Sequence, residues 1–202
     1  MRISGTLWCY TRNPDGSWQE HDKTGGGAWG RSNSNLKVGW SVAQDGAYQA
    51  AGAPAEASNR GAVYVRQKTG SYYQARGFVV EADTSIGNLF GSAVALDWPY
   101  LAVGAPGYGS NGAGFLYEFS DDGGNWKKVG NRVDPAGLGL SIVSLGKSVA
   151  VSDGMVLIGG AGSAVLHVRT SLLSTTPAPT TSSTPLPLPA TTLTAAVICV
   201  CL

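Results

Sequence analysis

Two glycine-rich stretches are the first candidates for chemical function in this chain. Residues 25–30 and 107–112 both have the spacing G-x-G-x-x-G. In dinucleotide-binding proteins that spacing lies between a strand and the helix that it opens. The second stretch precedes a predicted strand at 115–119, and neither stretch is followed by a helical pattern. We therefore interpret both as loop glycines and predict that the chain binds no nucleotide cofactor.

Other reactive side chains are few and scattered. No G-x-S-x-G elbow is present, and Ser141 fails that pattern at its last position. His21 and His167 are the only histidines, and neither has a second histidine at metal-ligand spacing. Cys9 alternates with aromatic residues, which is typical of a small core residue. We predict a non-enzymatic protein with no catalytic residue, no metal site and no cofactor.

The composition excludes several classes of protein. Charged residues make up 13% of the chain, about half the usual share, whereas its 29 glycines are roughly twice the number expected. Glycine is a poor helix former, so this balance disfavours a coiled coil or a helical bundle. A net charge of +1 provides no field that would attract nucleic acid. Cys9, Cys199 and Cys201 are too few for a disulfide framework or a four-cysteine zinc site.

Internal repetition is the strongest signal in the sequence. Three stretches superpose, each a run of small and β-branched residues that leads into Gly-Ala: 39–54, 91–106 and 146–162. The same valine recurs in all three, as Val42, Val94 and Val149. The period is a little over fifty residues. A period of this length indicates an architecture built from tandem copies of one unit.

Each repeat predicts four short strands. The first two runs, for example 92–97 and 100–106, show no alternation, as expected of inner strands covered on both faces. The third run carries aromatic residues and is joined to the fourth by hairpin connectors rich in Asp and Gly. Trp18 and Trp126 occupy equivalent places in their units, which favours packing within the sheet over a sugar platform. Four-stranded wedges repeated about an axis form a β-propeller, whereas a β-sandwich needs no such repeat.

We therefore predict an all-β fold, a partial β-propeller of four-stranded antiparallel blades. Residues 1–170 hold about three and a quarter blades, which are a half blade at 5–23, full blades at 39–80 and 90–133, and a partial blade at 146–169. Propellers typically close with four to eight blades, and an open arc leaves strand edges and apolar faces in water. We expect the missing blades to come from a longer chain or from self-association.

The chain changes character at about residue 170. Residues 171–192 are rich in Ser, Thr and Pro, which predicts a disordered segment, either an O-glycosylated stalk or an unmodified linker. Residues 193–202 form an apolar tail that is too short to span a bilayer by itself. It is the truncated start of a membrane helix, part of a lipid-anchor signal or an end without a role. No signal peptide is visible, and the tail favours an extracellular or cell-surface location with attachment to a membrane.

The residues at 90–106, followed by 112–119, resemble an FG-GAP repeat, the blade unit of integrin α-subunit propellers and of many surface proteins. The resemblance covers roughly residues 5–168. Individual units depart from the pattern, since Gly39-Trp40 and Leu145-Gly146 replace the Phe-Gly pair. Many members carry a calcium loop with several aspartates between the first two strands. Here each such connection has a single aspartate, and the three are Asp45, Asp97 and Asp153. One carboxylate cannot supply the six to eight oxygens that calcium prefers.

The resemblance also implies a binding surface. In integrin-like propellers, the loops between the second and third strands help to form the ligand face, and here they are residues 55–60 and 107–112. The candidate contacts are Asn59, Arg60, Tyr108 and Asn111, which could instead be ordinary polar turn residues. The expected function is a protein-interaction or cell-adhesion module with a protein or glycan ligand. The alternative is a carbohydrate-binding or accessory propeller domain of a larger hydrolase.

Overall fold

The computed structural model describes residues 5–25, 36–120 and 124–167. Regular structure in these residues is almost entirely β-strand, and the strands form four separate antiparallel sheets. The prediction of an all-β fold is therefore confirmed. The predicted stalk at 171–192, the apolar tail at 193–202 and most of the glycine-rich stretch at 25–30 lie outside the described residues.

The sheets follow one another along the chain. The first contains β1 (Thr6–Arg12) and β2 (Trp18–Gly25). The second contains β3 (Ser41–Asp45), β4 (Tyr48–Ala53), β5 (Ala62–Thr69) and β6 (Tyr72–Val79). The third contains β7 (Ala93–Asp97), β8 (Tyr100–Ala105), β9 (Ala113–Ser120) and β10 (Asn125–Lys128). The fourth contains β11 (Ser148–Ser152), β12 (Met155–Gly160) and β13 (Ser163–His167), and a single turn, α1 (Glu56–Asn59), lies between β4 and β5.

Within each sheet, neighbouring strands are consecutive in sequence and antiparallel. Tight turns make this order possible. Asp45 pairs with Tyr48 across a turn that contains Gly46, and Thr69 pairs with Tyr72 across a turn that contains Gly70. Both glycines have positive φ, which hairpin turns require and which other residues rarely adopt. The Asp-Gly and Thr-Gly pairs in the sequence thus fix where each hairpin turns.

Consecutive sheets meet through a repeated backbone contact. Gly61, just before β5, forms a parallel bridge with Phe90, just before β7. Gly112, just before β9, forms the same bridge with Leu145, just before β11. A Cβ on either glycine would collide with the backbone of its partner, so the two chains could not approach as closely. Gly5 lies equally close to the backbone of Val38 at the start of the stack.

Apolar clusters fill the spaces between successive sheets. The largest joins Ala50, Val63 and Val65 of the second sheet to Val94 and Phe115 of the third. A second cluster lies between the third and fourth sheets, and a third cluster joins Leu7 of β1 to the second sheet. The core of this protein is therefore a series of layers between sheets, and each sheet contributes both of its faces where it has neighbours on both sides.

Two expectations about packing need correction. Inner strands were expected to be covered on both faces, which is right for β7 and β8 but wrong for one face of β3, of β11 and of β12, where alternate residues are exposed. Trp18 is 67% exposed rather than packed within its sheet. Trp126, its counterpart, packs against Trp98 from the β7–β8 turn at 5.9 Å between ring centroids. The first sheet has two strands, and the described residues provide no such turn for Trp18.

Candidate functional site

Two loops of equivalent position lie at one edge of the second and third sheets. The β4–β5 loop comprises residues 54–61, and the β8–β9 loop comprises residues 106–112. Since both sheets have the same strand order and direction, the two loops lie at the same end of the strands. We call the surface formed by the two loops the loop edge. It contains all four candidate contacts derived from the sequence.

The β4–β5 loop has an unusual backbone. Ala57, Ser58 and Asn59 have φ of 48°, 61° and 65°, so three consecutive residues other than glycine are left-handed. Such conformations cost roughly 1–2 kcal/mol per residue and persist only where the surroundings hold them. Glu56 provides one such constraint, because its side chain is buried and accepts a hydrogen bond from the Tyr64 hydroxyl at 3.1 Å.

Asn59 and Arg60 are exposed at the end of this turn. Their backbones are fixed, because the Asn59 carbonyl accepts hydrogen bonds from the N–H groups of Gly87 at 3.1 Å and Leu89 at 2.9 Å. The Arg60 carbonyl accepts one from the N–H of Phe90 at 3.0 Å. The two side chains are thus presented to solvent from a backbone that is tied to the entry of the next sheet.

Tyr108 and Asn111 are less available than their counterparts in the preceding loop. The Tyr108 ring packs edge-on against Phe115 at 5.6 Å between centroids, and the Arg132 guanidinium lies over it at 5.1 Å from the ring centre. Asn111 is half-buried, and its carbonyl accepts a hydrogen bond from the N–H of Leu145 at 2.8 Å. Of the four predicted contacts, Asn59 and Arg60 therefore offer the most accessible side chains.

A cleft that sequence reasoning did not find adjoins the β8–β9 loop through Arg132. Its volume is about 500 Å³, and it is lined by residues from the β6–β7 connection, from the end of β10 and from the segment after β10: Asp83, Lys128, Asn131, Arg132, Val133, Asp134, Gly137 and Leu138. No motif marks these residues, because they come together only when the segment after β10 folds back beside β9. The pairing of Val133 with Gly114 records that fold-back.

The charges around the cleft are largely paired. Lys128 Nζ lies 2.8 Å from Glu81 Oε1, and Arg132 Nε lies 2.9 Å from Asp134 Oδ2. Glu81 also accepts a hydrogen bond from the buried Tyr117 hydroxyl at 2.5 Å. Burial, and then the hydrogen bond and charge of Glu81, raise the pKa of Tyr117 well above its ordinary value. The cleft is therefore polar without a strong field of one sign.

The aspartates of the first turns have a structural role. Asp45 Oδ2 accepts a hydrogen bond from the backbone N–H of Trp98, and Asp97 Oδ2 accepts one from that of Asp153. In the described parts of the chain, no three His, Cys, Asp or Glu side chains cluster closely enough to hold a metal ion. These carboxylates connect neighbouring sheets.

No protein-family model and no curated protein matches this chain. Among the residues that the structure describes, there is no helix with the length and apolar character needed to cross a membrane.

Proposed function

We propose that this chain is a non-enzymatic interaction module, built as an open β-propeller of FG-GAP type, that binds a protein partner through its loop edge. Three features support the propeller arrangement: four short antiparallel sheets in tandem, small residues on the inner strands, and one backbone contact between sheets that recurs at Gly61 and Gly112. An arrangement of this kind places the loops of successive blades side by side on one surface.

The conformation of the β4–β5 loop is the observation that carries the proposal. Three left-handed residues in succession, Ala57 to Asn59, are costly, and such strain is concentrated at binding and catalytic sites. Here the strained turn ends in two exposed polar side chains, Asn59 and Arg60. Loops positioned by a rigid sheet are where proteins of this architecture usually bind their partners.

The chemistry of the loop edge favours an acceptor-rich partner. Arg60 offers a planar guanidinium that can donate two parallel hydrogen bonds to a carboxylate, and Asn59 offers both a donor and an acceptor. A protein segment with an acidic side chain fits this pair. Adhesion at a cell surface is the setting that the Ser/Thr/Pro-rich residues 171–192 favour.

Glycan binding is the second candidate function. The exposure of Trp18 and Trp40 favours it, since a solvent-facing indole offers a flat apolar surface on which a sugar ring can stack. Neither residue lies in the loop edge. The two functions therefore make separate predictions about which substitutions abolish binding.

The test is a binding screen of the purified 202-residue chain against an array of secreted and membrane-protein ectodomains and, in parallel, a glycan array. A protein ligand should lose at least about tenfold in affinity with Arg60→Ala and with Asn59→Ala. Arg76→Ala, at an exposed arginine on β6, is the matched control and should bind as the unchanged chain does. Protein binding that survives both loop substitutions, or glycan binding that depends on Trp18 or Trp40, contradicts the proposal.

A further inference from the structure

The cleft beside the β8–β9 loop is built around the third sheet, which has a neighbouring sheet on each side. Its walls come from the connection that enters this sheet and from the segment that leaves it. The cleft volume of about 500 Å³ is within the roughly 300–1,000 Å³ of sites that bind small molecules. Charged, amide and aliphatic side chains line it, and none of them belongs to the loop edge.

Two neighbours hold the guanidinium of Arg132 in place. Its Nε donates to Asp134 Oδ2 at 2.9 Å, and the Tyr108 ring faces it at 5.1 Å. Asp134 is itself fixed, because its Oδ1 accepts a hydrogen bond from the N–H of Gly137 at 2.8 Å. The ion pair engages Nε, and the remaining donors belong to the two terminal amino groups, which can bind a carboxylate through parallel hydrogen bonds. A guanidinium fixed in advance loses little freedom when a ligand binds.

Lys128 is the second cation in the cleft, and its Nζ pairs with Glu81 at 2.8 Å. In both ion pairs the cation is more exposed than its partner. The side chain of Lys128 is 35% exposed and that of Glu81 5%, whereas the values for Arg132 and Asp134 are 43% and 20%. The cleft therefore presents the positive ends of its ion pairs to a ligand, which favours an anionic group.

The other lining residues favour a ligand with hydroxyl groups and an apolar face. Asp83 is exposed and accepts hydrogen bonds, and the exposed amide of Asn131 both donates and accepts them. Leu138 is 41% exposed and offers aliphatic surface to the C–H groups of a ring. A simple carboxylate would use only the two cations, whereas a sugar acid would also use these three side chains.

We propose that the cleft binds an acidic sugar residue, such as a uronic acid. Its carboxylate binds the terminal amino groups of Arg132 and Nζ of Lys128. Its hydroxyl groups bind Asp83 and Asn131. The lining of the cleft carries this inference, which is independent of the partner that the loop edge binds.

The test is a titration of the isotope-labelled 202-residue chain with glucuronate, followed by two-dimensional ¹H–¹⁵N nuclear magnetic resonance. The amide signals of Asp83 and of residues 131–134 should shift saturably, with a Kd on the order of 1 mM. Glucose, which has the same ring without the carboxylate, should bind at least about tenfold more weakly. Glucuronate that shifts none of these signals overturns the proposal. Equal binding of glucose, or tighter binding of glutamate, overturns the assignment to an acidic sugar.

Two variants locate the carboxylate. Arg132→Ala should weaken glucuronate binding at least about tenfold, and Arg132→Lys should weaken it less, because lysine keeps the charge but lacks the planar fork. Arg76→Ala, at an exposed arginine on β6, is the matched control and should bind as the unchanged chain does. The dispersion of the same spectra verifies that each variant is folded. Glucuronate binding that survives Arg132→Ala, or that is lost equally with Arg76→Ala, overturns the site.

Discussion

The backbone N–H of Trp98 donates a hydrogen bond of 2.8 Å to the carboxylate of Asp45, across 53 residues of sequence. One repeat later, the N–H of Asp153 donates to Asp97 at 2.6 Å. The aspartates that end β3 and β7 therefore tie the second and third sheets to the first turn of the next sheet. Together with the glycine contacts at the loop edge, this bond joins neighbouring sheets at both ends of their inner strands.

Asp45→Ala and Asp97→Ala should each lower the free energy of unfolding by about 1–2 kcal/mol, because each removes a hydrogen bond to a charged acceptor. Urea denaturation of the purified variants measures the loss. Asp15→Ala is the control, since Asp15 accepts its hydrogen bonds from Ser17 within one exposed turn, and it should cost less. Equal losses of unfolding free energy at all three positions would show that the hydrogen bonds between sheets stabilise the protein no more than those within one turn.

Gly61→Ala should destabilise the protein far more than Gly46→Ala. Both glycines have positive φ, so both substitutions incur the left-handed penalty of roughly 1–2 kcal/mol. An added Cβ at Gly61 also collides with the backbone of Phe90, whereas at Gly46 it meets nothing within 4 Å. Thermal unfolding followed by circular dichroism compares the two variants. The difference between the melting temperatures of the two variants reports the destabilisation that comes from forcing the second and third sheets apart.

Stability should fall steeply above pH 10, and Tyr117 should account for part of the slope. Its pKa is raised above 10.0 in the folded protein, so the unfolded state loses the hydroxyl proton first. The stabilisation is complete below pH 10 and decreases as the pH rises, by up to about 1.4 kcal/mol per pH unit. Urea unfolding between pH 8 and about pH 11 should show a shallower slope for Tyr117→Phe.

Trp126→Ala and Trp18→Ala should have unequal effects although the sequence makes the two positions equivalent. Trp126 packs against Trp98 and Phe119, with ring centroids 5.9 and 5.3 Å away, and its truncation should cost about 2–3 kcal/mol. Trp18 is mostly exposed, and its truncation should cost about 0.5 kcal/mol or less. Guanidinium denaturation measures the loss of stability in each variant, and equal losses would show that Trp18 packs against other side chains.

The strands and their order could be predicted because their causes are local and repeated. Runs of small and β-branched residues, separated by Asp-Gly or Thr-Gly turns, specify hairpins within a few residues. The recurrence of Val42 at Val94 and Val149 marks equivalent first strands, and the structure places all three in β3, β7 and β11.

The details of the candidate site could not be predicted, because they depend on what neighbouring sheets bring near. Ala57 and Ser58 are not residues that favour a left-handed backbone, and only their surroundings hold them there. The half-burial of Tyr108 depends on Phe115 in the next strand and on Arg132, which is 24 positions along the chain. Trp18 is exposed because its sheet has two strands in the described residues, and the sequence around Trp18 does not reveal this.

Nuclear Overhauser contacts of two amide protons test most directly whether successive sheets repeat one contact. The N–H groups of Phe90 and Leu145 donate to the carbonyls of Arg60 and Asn111. In a spectrum of isotope-labelled protein, the Phe90 amide proton should show cross-peaks to Gly61, and the Leu145 amide proton should show them to Gly112. Cross-peaks to residues at other positions, or at one of the two sites alone, would contradict a stack of equivalent sheets.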